Sequence, residues 1–105
     1  MATISDFEPG SRKLVREVVE KIKGFNWKVY VEPASTSGIV MKMYGSRICA
    51  FYPCARGFSI AYWDAPAGRR SLDRWVRCRV SSEEDLKIHL AMIRARVIHV
   101  LTGTP

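Results

Sequence analysis

The sequence predicts an α+β domain of two layers: an N-terminal helix, a mainly antiparallel sheet of about five strands and a C-terminal helix. Three observations carry this expectation. Apolar residues recur at helical spacing in two segments, 11–25 and 81–101, near the two ends of the chain. Between them lie short runs of alternating or continuous apolar residues. Glycine and proline punctuate those runs at spacings that suit hairpins.

The first helix is read from SRKLVREVVEKIKGF, where Leu14, Val15, Val18, Val19 and Ile22 share one side and Lys13, Arg16, Glu17, Glu20 and Lys23 lie mostly opposite. Ser11 is the expected N-terminal cap, and Gly24 is expected to close the helix in the left-handed conformation. WKVYVE, residues 27–32, then alternates as a strand, and PASTSG breaks it. IVMKMY (39–44) and RICAFY (47–52) follow as two strands with Gly45 and Ser46 as the turn, and Pro53 is expected to end the second. FSIAYW (58–63) is the fourth strand, and DAPAGRRSLD (64–73) is the longest connection.

RWVRCRV, residues 74–80, has the clearest two-residue period. It sets Val76, Cys78 and Val80 on a core face and Trp75, Arg77 and Arg79 on the other. The second helix opens with Ser81 three residues before Glu84, the spacing of a capping box, and Glu83, Glu84 and Asp85 favour the positive end of the helix dipole. Leu86, Leu90, Ile93 and Val97 form its inner stripe, with Met92 and Val100 near the borders. The simplest packing puts both helices on one face of the sheet and leaves the other face at least partly open. Strand order does not follow from hairpins, which fix neighbouring pairs alone.

A chain of 105 residues is of the size of one domain with one core, its ends expected to be flexible. Its 48% hydrophobic and 26% charged residues lie far from the signature of a disordered chain. No window approaches the roughly 18 apolar residues of a membrane span, and the first ten residues lack the pattern of a secretory signal, so a cytoplasmic protein without membrane contact is expected. The three cysteines, Cys49, Cys54 and Cys78, are odd in number and sparse for a disulfide scaffold, and they are expected to be reduced and free of metal.

The stretch from Arg74, RWVRCRVSSEEDLKIHLAMIRARV, resembles the C-terminal part of a family of small uncharacterised domains attached to nuclease-like or predicted transport proteins. Trp75, the strand, the SSEEDL helix start and the pair Ile93 and Arg94 carry the likeness, and WKVYVE and YGSRICAFYPCARGF are compatible with it. The resemblance implies a helix, a curved antiparallel sheet and a closing helix, a fold like that of the small YjbR-type DNA-binding domains. No catalytic residues come with it. The cysteines and the arginines Arg69, Arg70 and Arg74 depart from the family's pattern, so ligands are not carried across.

Enzyme motifs are absent at the level of sequence: there is no phosphate-binding or dinucleotide-binding glycine loop, no His-Glu-x-x-His pattern and no calcium loop. His89 and His99 are ten residues apart on one helix, an offset of about 280° that leaves them about 80° apart around the axis and about 15 Å apart along it, and so are poor co-ligands. Asp64 and Asp73 are loop residues with no fixed separation. No catalytic residue, cofactor or metal is assigned, and an enzyme with a dispersed active site stays open as the last of three readings.

The formal charge of +7, with eleven arginines among the 17 basic residues, points toward polyanions. The first reading is therefore a basic module associated with nucleic acid, largely indifferent to base sequence, with Arg69, Arg70, Trp75, Arg77 and Arg79 as its binding residues and Lys28 and Tyr30 as possible neighbours on the same sheet face. The second is a protein-interaction or homodimer module using that face, because Trp, Tyr and Arg are also the residues enriched at interface centres.

Overall fold

A computed structural model describes residues 7–35, 37–55, 57–63, 75–80 and 82–102, leaving aside the side chains of Trp63, Trp75 and Val76. The element order is α1 (Pro9–Lys23), β1 (Tyr30–Pro33), β2 (Ile39–Met43), β3 (Ser46–Cys54), β4 (Gly57–Trp63), β5 (Trp75–Val80) and α2 (Glu83–Thr102). The five strands form one sheet in the order β1-β2-β3-β4-β5 with every neighbouring pair antiparallel. This is the α+β arrangement expected, and its strand order is the plain meander.

Both helices contribute to a single apolar cluster on one face of the sheet. Val15, Val18, Val19 and Ile22 of α1 and Leu86, Ile93 and Val97 of α2 are buried with Ile39, Met41, Cys49, Phe51, Phe58, Ile60 and Val80 of the strands. Cys78 and Leu90 pack against this cluster while partly exposed. Cross-strand partners share a face, so the row Pro33, Ile39, Phe51, Ile60, Cys78 traces the covered side through all five strands. Phe7, just before α1, is also buried, and its ring meets Phe58 edge-on at a centroid distance of 6.2 Å. The expectation of a loose N-terminal end therefore does not extend to Phe7.

Several boundaries differ from the sequence reading, each for a local reason. Helix α1 starts at Pro9, whose missing N–H costs nothing in a first turn, and Ser11 is buried inside that turn rather than capping it. Gly24 closes α1 in the right-handed region, with φ −69°, and its N–H reaches the Glu20 carbonyl. The first strand begins at Tyr30, because Asn26 holds a turn: its side-chain carbonyl accepts from the Lys28 N–H and its backbone carbonyl from the Val29 N–H. The β2–β3 turn is Tyr44–Gly45, one residue earlier than expected, with φ of 54° and 76°. Positive φ at both central residues is what a type I′ hairpin requires, so Tyr44 accepts a conformation that suits it poorly.

Strand β3 runs through Pro53 to Cys54. Its ladder with β2 ends at Phe51, so Pro53 lies where a residue without an N–H is tolerated. At the start of α2 it is Ser82 whose hydroxyl accepts from the Asp85 N–H, at 3.2 Å; Ser81, the expected cap, lies outside the described residues.

Candidate polyanion-binding face

Strand alternation sends a second set of side chains away from the helices. The register aligns Glu32, Val40, Ala50, Ala61 and Arg77 in one row across the sheet, Tyr52, Ser59 and Arg79 in another, and Tyr30, Lys42 and Arg47 in a third. The middle of the face is built of small residues: Ala50, Ala61 and Ser59 are buried beneath their longer neighbours. The periphery is aromatic and cationic.

Arg77 and Arg79 are both exposed on β5, as alternation requires. The Arg77 guanidinium lies 4.6 Å from the centroid of the Tyr52 ring on β3, so it spans the small residues of β4 between them. This contact holds the guanidinium over the ring, and its planar fork of N–H groups suits a phosphate or carboxylate. Trp75 is paired at the backbone with Trp63, while Arg69 and Arg70 lie outside the described residues. Of the five residues assigned from sequence, the structure brings Arg77 and Arg79 together.

At the opposite edge, Lys42 makes an ion pair of 2.8 Å with Glu32, which is the one carboxylate the sheet carries among the described residues. Beyond the end of the β1–β2 pair the Lys28 ammonium donates to the Tyr44 hydroxyl at 2.6 Å and lies 4.8 Å and 5.2 Å from the ring centroids of Tyr44 and Trp27. Trp27 is 84% exposed and Tyr44 58%. Tyr30 thus belongs to the open side with Lys42 and Tyr52, and Lys28 and Tyr44 stand beside that edge. The signal for Tyr52 was in the sequence: if Phe51 faces the core, its neighbour on the strand faces away. Tyr44 carries no such signal, because Gly45 and Ser46 are the better turn formers and the strand pairing sets the turn one residue earlier.

The remaining polar groups have local roles. His89 Nδ1 lies 3.0 Å from the Tyr62 hydroxyl on the helix side of the sheet, with ring centroids 5.5 Å apart. Burial lowers the His89 pKa from its ordinary value, and the Asp85 carboxylate opposes that shift. Cys49 is fully buried, which pushes its thiol far up and keeps it from the reactive thiolate form. The Cys54 sulfur lies 2.9 Å from the Ser59 hydroxyl. Among the described residues no group of three or more His, Cys, Asp or Glu is placed to hold a metal ion. Asp64 and Asp73 lie outside them. A shallow groove of about 490 Å³ separates the end of α1 from α2, floored by Phe25, Leu90 and Ala91 and rimmed by Lys21, Lys87 and Arg94. No helix among the described residues is long and apolar enough to cross a membrane.

Comparison with protein-family models, with curated proteins and with solved structures yields no match.

Proposed function

We propose that the helix-free face of the sheet binds a polyanion, and that its ligand is single-stranded nucleic acid taken with little regard to base sequence. The observation that carries this reading is the Arg77–Tyr52 stack, set in a face where, among the described residues of the sheet and its edge, Lys28, Lys42, Arg47, Arg77 and Arg79 accompany one carboxylate, Glu32, paired with Lys42. Cations of this density attract phosphates and release the counterions condensed on them. Exposed tyrosines beside those cations offer rings on which unpaired bases stack, which a closed duplex cannot exploit. A sheet face of small central residues offers no protruding element to read base edges in a major groove, so phosphate contact and stacking dominate.

The test replaces Arg77 and Arg79 together with alanine, verifies folding by circular dichroism, and titrates labelled single- and double-stranded oligonucleotides at two salt concentrations. The unmodified protein should bind single strands more tightly, with affinity falling as salt rises. The double variant should bind about tenfold or more weakly, with its salt slope smaller by roughly one for each lost phosphate contact. Salt-independent binding, or unchanged affinity in the folded variant, sinks the reading and gives precedence to a protein partner on this face.

A further inference from the structure

The two helices cover the same sheet face but differ on their outer sides. In α1 the exposed positions beyond Gly10 are all charged: Lys13, Arg16, Glu17, Glu20, Lys21 and Lys23. In α2 the inner stripe of Leu86, Ile93 and Val97 is buried, yet Ile88, Ala91, Met92, Ala95 and Ile98 are exposed. At 100° per residue these five fall within one arc of about 120°, opposite the buried stripe. From Ile88 to Thr102 that arc contains no Lys, Arg, Asp or Glu. Ile88 is 65% exposed and Ile98 51%. A helix that is apolar on two sides is one that is covered on two sides.

We infer that a second copy of this chain covers the outer side of α2, the two helices lying antiparallel about a two-fold axis near position 93. Ile88 and Ile98 are ten residues apart on the same arc, so this axis sets Ile88 of each copy against Ile98 of the other. Ala91 meets Ala95 between them, where small side chains let the helices approach closely. The charge of α2 is polarised along its length: Glu83, Glu84 and Asp85 occupy its first turn, whereas the charges beyond Lys87 are Arg94 and Arg96, with His99 in the last turn. Antiparallel pairing brings the acidic turn of each copy toward the basic half of the other, and parallel pairing would set like charges together. Twenty residues make a helix about 30 Å long, and two such strips bury on the order of 1,000 Å², the lower end for a specific interface. An interface of this size suits a reversible dimer.

Each copy carries a formal charge of +7, and the two Arg94 side chains approach one another beside the axis. Screening this repulsion strengthens the dimer, the opposite sign to the salt dependence of a polyanion complex. The inference does not rest on the nucleic-acid reading, because the outer side of α2 faces away from the sheet and its open face.

The experiment is sedimentation equilibrium of the full chain without nucleic acid, from about 1 µM to about 500 µM at low and high salt. The expected result is a rise to twice the monomer mass, tighter at high salt, with dissociation at least about tenfold weaker in Ile88→Glu and Ile98→Glu. Both residues are exposed, so circular dichroism should be unchanged; Ala95→Glu serves as a third variant if either misfolds. For orientation, Ile88→Cys and Ile98→Cys copies, in a background with Cys54 and Cys78 changed to Ser, should cross-link to each other in preference to themselves. A monomer throughout, a dimer unaffected by all three glutamates, a dimer that high salt dissociates, or Ile88→Cys linking chiefly to itself overturns the proposal.

Discussion

Phe51 and Tyr52 are neighbours on one strand and belong to different environments. Phe51 is fully buried beneath the helices, its ring 6.1 Å from that of Phe58. Tyr52 is half-buried on the other face, its ring under the Arg77 guanidinium. The pleat alone separates them. The helix side of this sheet is therefore where stability resides, and the open side is where a chemical function can be carried at little cost to the fold, since exposed side chains there are held by each other rather than by the core.

Substitutions in this pair test the contrast directly. Phe51→Ala removes a fully enclosed ring that the surrounding side chains cannot replace, and should destabilise by about 3–5 kcal/mol, read as a lower urea midpoint. Tyr52→Ala should cost less than about 2 kcal/mol but weaken single-strand binding about tenfold, with a smaller change for duplex. If the two variants lose the same stability, or if Tyr52→Ala leaves oligonucleotide titrations untouched, the division of labour between the faces is wrong.

The smallest effect sharpens the comparison from the covered side, where His89 is the polar intruder beside Tyr62. Its pKa is lowered in the folded protein, chiefly by burial, so near and below the ordinary histidine value of about 6.5 the unfolded chain binds more protons than the folded one. Stability is then fully present above that value and declines as pH falls through the lowered pKa. Melting temperatures measured across this window should fall toward acid and should fall less steeply in His89→Asn. An equal slope in both proteins would place the acid sensitivity elsewhere.

The order of elements, the inward positions of α1 and α2, and those of Cys78 and Val80 on β5 were legible from the sequence because periodicity is a local property: 3.6-residue and two-residue repeats state which residues turn inward without saying against what; the Val76 side chain lies outside the described ones. Local chemistry settled less where two candidates compete within a turn. Ser82 meets the Asp85 N–H, and Tyr44 rather than Ser46 enters the hairpin turn, since a one-residue shift alters the propensities little and the pairing of the strands decides it. The pairing of Arg77 with Tyr52, the union of Lys28, Tyr44 and Trp27, and the outer apolar strip of α2 were decided by the tertiary structure. The first two join residues 25 and 16 positions apart through strand register. The third exists as a surface because the sheet can cover one side of a helix, and α2 is apolar on two.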